Sequence, residues 1–128
     1  MIFDPVEMGV KLNTTRQVAS WRRKLRKHLF SVRFQWCDKC RIRLWKTGFE
    51  VHEGIVDRND VKGWKLPRKA WIFTEVNCII LCPECHRPQP PSKEWAWQLQ
   101  CERYGEKTVR DWYENKLPWK TGKPPRYF

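Results

Sequence analysis

Four of the six cysteines fall as two Cys-x-x-Cys pairs, a spacing typical of metal ligands. The pairs are Cys37/Cys40 and Cys82/Cys85. Because only two residues separate the partners, one tight turn directs both sulfurs at a single ion, so each pair supplies half of a tetrahedral site. We predict a structural zinc ion bound by all four. In a small domain the binding free energy of such an ion is largely folding free energy.

Composition narrows the class of protein. The 128 residues include 26 Lys and Arg against 14 Asp and Glu, a net charge of +12. Hydrophobic residues make up 41%, with nine Trp, which is too apolar for a disordered polycation. No apolar run predicts a membrane span, and the first ten residues lack the form of a secretory signal. We expect a soluble, cytoplasmic (intracellular) chain that binds a polyanion, best explained as nucleic acid, and no membrane.

A cationic helix is predicted near the start of the chain. The sequence has neither Gly nor Pro from Asn13 to Phe30, and Asn13, Thr14 or Thr15 can cap the helix. A stripe of apolar side chains recurs at spacings of three and four: Val18, Trp21, Leu25 and Leu29. Six cations cover most of the remaining surface: Arg16, Arg22, Arg23, Lys24, Arg26 and Lys27. A solvated surface helix is one interpretation; we favour phosphate contact, because these cations repel one another without an acid among them.

The remaining elements are predicted from local patterns. We expect a loosely ordered first dozen residues, a short strand at 42–45, a strand from Phe49, a loop over 57–69, and a strand or helical turn at 70–76. A helix is predicted between the cap Ser92 and Gly105. Thr108 is predicted to cap a last helix with an apolar face formed by Val109, Trp112, Tyr113 and Leu117, before a basic, extended tail.

Seven of the nine tryptophans fall into two predicted groups. Four lie on apolar patterns and are expected in the core: Trp21, Trp36, Trp95 and Trp112. Three lie in predicted loops beside Lys or Arg, where packing and stacking on unpaired bases are the alternatives: Trp64, Trp71 and Trp119.

The region from Cys37 to His86 resembles the HNH endonucleases, or ββα-metal nucleases. Three segments carry the likeness: Cys37-Asp38-Lys39-Cys40, Glu50-Val51-His52-Glu53, and Asn77-Cys78-Ile79-Ile80-Leu81-Cys82-Pro83-Glu84-Cys85-His86. The extension EVHEGIVDRNDV is similar to phage and prophage members. The resemblance implies a β-hairpin and a helix around one catalytic divalent ion, Mg²⁺ or another, with the zinc separate. It implies phosphodiester hydrolysis, with a base on the first strand that deprotonates water.

The resemblance assigns roles to four residues of a catalytic centre. Asn77 matches the asparagine that orients the base, and His86 matches the final histidine, a ligand of the catalytic ion. His52 lies on the first strand. If it takes the metal position, Glu53 takes the base position; if His52 is the base, Val51 occupies the metal position and cannot ligate. The sequence departs from the family again at Pro90, where members often carry another ligand, so the ion would need waters, Glu53 or a loop acid such as Asp57.

These observations predict a small α+β protein with a zinc-stapled HNH core. The expected divisions are an N-terminal segment with the basic helix (1–31), the core (32–92), and a C-terminal extension with two helices and a basic tail (93–128). The predicted function is nicking or cutting of DNA, expected to be double-stranded, with little sequence specificity; RNA stays open as a substrate. The alternatives are a non-catalytic zinc-ribbon nucleic-acid-binding or regulatory protein, and a nuclease that acts beside a larger phage packaging or recombination protein.

Overall fold

The first helix begins at a capping box. In the computed structural model, which describes residues 2–119, α1 spans Thr15–Val32. The hydroxyl of Thr14 accepts a hydrogen bond from the Gln17 backbone N–H at 3.1 Å, and the Gln17 side chain accepts one from the Thr14 N–H at 3.1 Å. Trp21, Leu25 and Leu29 are buried. The predicted helix is therefore confirmed. Its narrow apolar face packs against the core, and this packing holds the cationic face in position.

A two-stranded antiparallel sheet forms the centre of the molecule. β1, Glu50–Glu53, pairs with β2, Cys78–Leu81, in a register that places His52 opposite Ile79. Every residue of β2 is buried. The strand predicted from Phe49 is therefore confirmed, and α2, Pro83–His86, follows β2 after a single residue.

The short strand predicted at 42–45 is wrong. Only an isolated bridge joins Trp36 to Arg43 in this segment. Phe34 and Gln35, which precede Trp36, have φ angles of 56° and 63°, in the left-handed region. The chain before Trp36 therefore cannot pair with residues 42–45 as an extended strand. The segment that carries the first cysteine pair is consequently a turn held by a few backbone hydrogen bonds.

Two helices cover the C-terminal side of the core. α3, Lys93–Tyr104, begins at the Ser92 cap and ends at Gly105, whose φ of 90° suits glycine, as predicted. α4, Glu106–Asp111, starts immediately afterwards and continues as a π-helical turn over Trp112–Lys116. The predicted cap at Thr108 is wrong, because Thr108 lies inside α4. The predicted apolar face is confirmed, since all four of its residues are buried: Val109, Trp112, Tyr113 and Leu117.

The N-terminal residues pack against the core, so the expectation of a loosely ordered start is wrong. Leu12 is buried, and the Phe3 ring stacks on His28 with centroids 3.7 Å apart. The Phe3 backbone N–H donates to Glu75 Oε1 at 3.0 Å, and His28 Nε2 lies 2.5 Å from the same oxygen. This segment therefore ties α1 to the residues that precede β2.

Residues 2–119 form a small α+β domain with a two-stranded sheet and four α-helices. At 70–76, where a strand and a helical turn are the predicted alternatives, the chain begins with the end of a 3₁₀ helix over Arg68–Ile72. One hydrophobic core draws on residues from α1, the sheet and both C-terminal helices. Among the helices of the described chain, none combines the length and the apolar character that crossing a membrane requires. The basic tail predicted at the C-terminus falls largely outside the described residues.

Candidate active site and metal centre

β1 and α2 bring the two histidines of the predicted catalytic centre together. The ring centroids of His52 and His86 lie 5.1 Å apart at an interplanar angle of 63°. Both rings line a depression of about 330 Å³, whose wall is formed by Val51, His52, Glu53, Asp57, Arg58, Asn59 and His86. His52 comes from the strand and His86 from the last position of α2, which turns back over the sheet directly after β2. Three of the four predicted catalytic residues thus share one depression.

Both imidazoles have lowered pKa values. Burial lowers the pKa of His52, and the nearby carboxylates of Glu53 and Asp57 oppose this only in part. Burial and the positive charge of Arg87 lower the pKa of His86. These pKa directions favour the neutral ring, which is the form that binds a metal ion or accepts a proton.

Glu50 determines which nitrogen of His86 is available. Its Oε2 contacts Nδ1 of His86, and its Oε1 forms an ion pair with the Arg87 guanidinium at 2.9 Å. With Nδ1 held by a carboxylate, Nε2 is the nitrogen that can bind a metal ion, as in the carboxylate–histidine–metal arrangement of many metal sites.

Asn77 lies outside the depression and is fully buried. Its Oδ1 accepts hydrogen bonds from the backbone N–H groups of Ile55 and Val56 at 3.1 and 2.8 Å. Its Nδ2 donates to the carbonyls of Val56 and Ile72, both at 2.8 Å. Both protons of the side-chain amide are thus engaged by backbone. Asn77 fixes the turn that follows Glu53, so it affects the depression only by holding that turn in place.

Glu53 is buried at the boundary between the histidine depression and the cationic surface of α1. Its Oε1 lies 3.3 Å from Nε of Arg58. It also lines a second depression, of about 310 Å³, bounded by Ala19, Arg22, Arg23, Leu25, Arg26, Val51, Glu53 and Phe73. Arg58 in turn shares a third depression, of about 230 Å³, with Arg22 and Lys69. Arg58 therefore lines the histidine depression, and the other cations line depressions that share Glu53 or Arg58 with it; we call these cations the cationic belt.

The six cations predicted to bind nucleic acid divide into two groups. Arg22, Arg23 and Arg26 line the depression that contains Glu53. Two of them are held by aromatic rings, since the guanidinium of Arg26 lies 3.7 Å from the Phe49 ring centroid and that of Arg22 lies 4.7 Å from Phe73. The other three are exposed and do not line it: Arg16, Lys24 and Lys27.

The four paired cysteines form a cluster, to which α2 contributes Cys85. The sulfurs of Cys37, Cys40, Cys82 and Cys85 all lie within 4.8 Å of one another, and those of Cys40 and Cys82 are 3.7 Å apart. Four thiolates bound tetrahedrally to zinc at about 2.3 Å would be separated by about 3.8 Å. The donor set and spacing therefore fit a metal ion such as zinc.

The cluster also has the electrostatics of a metal site. Burial alone would raise the pKa of Cys37, but backbone N–H groups of Cys40, Cys82 and Lys39 outweigh it and lower the pKa to about 7. Burial and the neighbouring sulfurs raise the pKa of Cys85. The raised pKa means that all four sulfurs would ionise together only beside a cation that offsets their charge.

Asp38 anchors the first cysteine pair to the core. Its buried carboxylate accepts from the Arg33 guanidinium at 2.9 Å, the Arg103 guanidinium at 2.7 Å and the backbone N–H of Ile80 at 2.8 Å. The Asp38 N–H also donates to the Ile80 carbonyl at 2.8 Å. The turn between Cys37 and Cys40 is thereby fixed to β2, α1 and α3 at once.

The two histidines do not by themselves complete a metal site. Within residues 2–119, the four-cysteine cluster is the group of three or more ligating side chains that converges on one point. A cation between His52 and His86 would therefore keep several waters and take at most a further carboxylate from Glu53 or Asp57. Mg²⁺ tolerates such a shell, since it usually retains several of its waters.

Sequence reasoning missed three residues that matter for this geometry. Glu50 could have been found, because residues two apart on a strand share a face and Glu50 precedes His52 by two. Asp38 and Arg58 gave no signal, since their partners come from distant segments or from a loop of irregular conformation.

Comparisons of the chain with models of known families, with curated proteins and with solved structures gave no match.

Proposed function

We propose that this protein is a metal-dependent endonuclease of the HNH type that hydrolyses phosphodiester bonds of double-stranded DNA. The observation that carries the proposal is the pair of imidazoles, with ring centroids 5.1 Å apart, in an open depression that shares Val51 and Glu53 with the depression lined by the cations of α1. Hydrolysis of a phosphodiester requires a proton acceptor, a hard cation and charges that hold the backbone. All three requirements have candidate side chains in these two depressions, which share Val51 and Glu53.

The side chains have distinct proposed roles. His86 offers Nε2 as a ligand because Glu50 holds its Nδ1. His52 either accepts the proton of the attacking water or serves as a second ligand. Glu53 assists from the edge of the depression, and Asn77 holds the turn behind it. The divalent cation, when bound, would stabilise negative charge on the scissile phosphate and on the leaving oxygen. In the cysteine cluster, a zinc ion would have only a structural role.

Plasmid nicking tests this proposal. Supercoiled DNA is incubated with the zinc-loaded protein and Mg²⁺ or Mn²⁺, and the metal-free reaction is obtained by desalting, because a chelator would also remove zinc. We expect nicked and linear products that require the added cation, and their loss in His52→Ala and His86→Ala. A control, His28→Gln, replaces the histidine that lies outside the depression and should retain cleavage per folded molecule. Cleavage that persists in His52→Ala would contradict the proposed centre.

Cation binding separates the two roles of His52. If His52 only accepts a proton, His52→Ala retains the Mn²⁺ affinity of the wild type and loses cleavage. If it is a ligand, the Mn²⁺ affinity and the cleavage fall together. Either result assigns the residue.

If DNA binds at the depression that Arg22, Arg23 and Arg26 line, two triple variants of equal charge should differ in DNA binding. Replacing Arg22, Arg23 and Arg26 by Ala should weaken duplex binding and flatten the plot of log K against log salt by roughly 2 to 3, because each phosphate contact contributes about 0.9 to the slope. The matched control replaces Arg16, Lys24 and Lys27, which removes the same charge from outside the depression. Equal effects in the two variants, measured by anisotropy titrations over a salt series, would show that α1 contributes only diffuse charge.

A second candidate function is supported by the incomplete ligand set beside the histidines. A nucleic-acid-binding protein that is stapled by zinc and does not catalyse needs the cationic belt but no third ligand. It predicts salt-dependent DNA binding with no cleavage in any divalent cation, so the nicking assay decides between the two.

A further inference from the structure

Bulky apolar side chains are exposed on the turn that carries the first cysteine pair. Residues 34–48 hold four of the seven large hydrophobic side chains that are exposed within residues 2–119: Phe34, Trp36, Ile42 and Trp45. Trp45 is 82% exposed and Phe34 is 77% exposed. Trp36, expected in the core, is 47% exposed, so that expectation is wrong for this residue. Trp64, for which packing and base stacking are the alternatives, is buried, so packing holds for it.

Backbone hydrogen bonds place these side chains on neighbouring arms of the turn. The Leu44 N–H donates to the Gln35 carbonyl at 2.7 Å, and the Cys37 N–H donates to the Ile42 carbonyl at 2.9 Å. The arm with Phe34 and Trp36 therefore lies beside the arm with Ile42 and Trp45. We call residues 34–36, 39 and 41–46 the knuckle surface.

The exposed charges of the knuckle surface all have one sign. Its charged side chains are exposed cations: Lys39, Arg41, Arg43 and Lys46. Asp38 is the one acid in the printed sequence between residues 34 and 48, and its carboxylate is buried against Arg33 and Arg103. A surface of aromatic rings among unopposed cations fits single-stranded nucleic acid, whose bases stack on the rings while its phosphates pair with the charges. It fits a second copy of this chain poorly, because the cations would repel.

Phe34 is unusual in its backbone as well as in its exposure. Its φ of 56° is unfavourable for a residue with a Cβ, and Gly would adopt it without strain. Neither burial nor backbone preference therefore accounts for a phenylalanine at this position. The ring lines a depression of about 390 Å³ that Arg41 and Arg103 also line, so cations stand beside it. Two acids also line this depression. Glu75 is already hydrogen-bonded to Tyr104 and His28, and Glu102 lies on α3.

We propose that the knuckle surface binds unpaired nucleotides, with bases stacked on Phe34, Trp36 and Trp45 and phosphates paired with the surrounding cations. This rests on the proposed function in taking DNA as the substrate, and it adds a substrate class: a duplex that adjoins a single-stranded segment, such as a flap, a gap or an unpaired end. The duplex would contact the cations of α1 while the unpaired strand contacts the knuckle surface.

Anisotropy titrations with labelled oligothymidylate and with a blunt duplex test the proposal, in zinc-loaded protein without added divalent cation. The double variant Phe34→Ala/Trp45→Ala should bind oligothymidylate about tenfold to a hundredfold more weakly than the wild type, as expected for lost base stacking. Its affinity for the blunt duplex should remain that of the wild type. Trp45→Phe should restore part of the single-strand affinity. The matched control Val6→Ala/Met8→Ala removes exposed apolar side chains elsewhere and should change neither affinity.

Other outcomes overturn the proposal. Unchanged oligothymidylate binding in the double variant, or an equal loss for both DNA forms, would contradict base stacking at this surface. A wild-type dimer in sedimentation that the double variant converts to monomer would identify a second copy as the occupant. If the wild type binds single strands as described but cleaves nothing, the proposed function fails and this inference stands. If the double variant cleaves DNA and retains its single-strand affinity, the proposed function stands and this inference fails.

Discussion

Cys85 and His86 are adjacent in the sequence, yet they belong to two different kinds of site. Cys85 completes a cluster of four sulfurs within 4.8 Å of one another, which the buried carboxylate of Asp38 fixes to the core. His86 faces His52 across an open depression in which side chains supply only part of a coordination shell. The comparison separates a closed group of four sulfurs, which could hold a metal ion without further ligands, from an open pair of imidazoles, where the proposed cation would need water and other ligands.

Loss of one sulfur should have the largest effect. Cys37→Ser removes a buried ligand, and structural zinc contributes about 10–16 kcal/mol of binding free energy to folding, which equals or exceeds the whole stability of a typical domain. We expect loss of stoichiometric zinc and of the cooperative unfolding transition in circular dichroism. Cys101→Ser, outside the cluster, is the matched control and should remain folded with zinc bound. A folded, zinc-free Cys37→Ser would mean that the cluster does not stabilise the fold.

Removal of the Asp38 carboxylate should destabilise the closed site without removing a ligand. Asp38→Ala leaves Arg33 buried without its charge partner, and breaking a buried pair from one side costs about 3–5 kcal/mol. Urea unfolding should show this as a lower free energy of unfolding. Asp111→Ala, an exposed acid on α4, should change it by less than about 0.5 kcal/mol. Similar values for the two variants would contradict the anchoring role of Asp38.

Glu50→Gln should weaken the open site and leave the closed one intact. Partners that orient a metal-bound histidine typically contribute 10–100-fold to metal affinity or activity, so we expect a loss of about that size in Mn²⁺ affinity. Zinc content and the free energy of unfolding should not change. Glu84→Gln, which alters an exposed acid on α2, serves as the control. Equal Mn²⁺ affinity in Glu50→Gln and the wild type would show that Glu50 does not position His86.

The features that sequence predicted correctly depend on neighbours along the chain. The sequence predicts α1 and α3, with Ser92 as the cap of α3 and Thr14 as one of three candidate caps of α1, because capping and apolar spacing act within a few residues. The four-cysteine cluster also followed from its motif, since the short spacing within each pair limits where a ligand can lie. The proximity of His52 to His86 followed from the resemblance to HNH endonucleases and not from spacing.

The failures share a different cause. The arms around Trp36 form no strand because two consecutive left-handed residues interrupt it, and nothing in their side chains predicts that conformation. The N-terminal residues are ordered by Glu75, which lies more than 70 residues away in sequence. Thr108 resembled a cap, but Gly105 allowed α4 to begin earlier. In each case a contact or a backbone conformation outside the local pattern decided the outcome.

Binding of Mn²⁺ to the zinc-loaded protein tests the central claim most directly, because the claim is that a hard cation binds between His52 and His86 apart from the sulfur cluster. Electron paramagnetic resonance reports free Mn²⁺, so a titration gives its stoichiometry and affinity. The account predicts one Mn²⁺ per chain, lost in His86→Ala while zinc stays bound. Absence of Mn²⁺ binding, or binding that His86→Ala leaves unchanged, would contradict it.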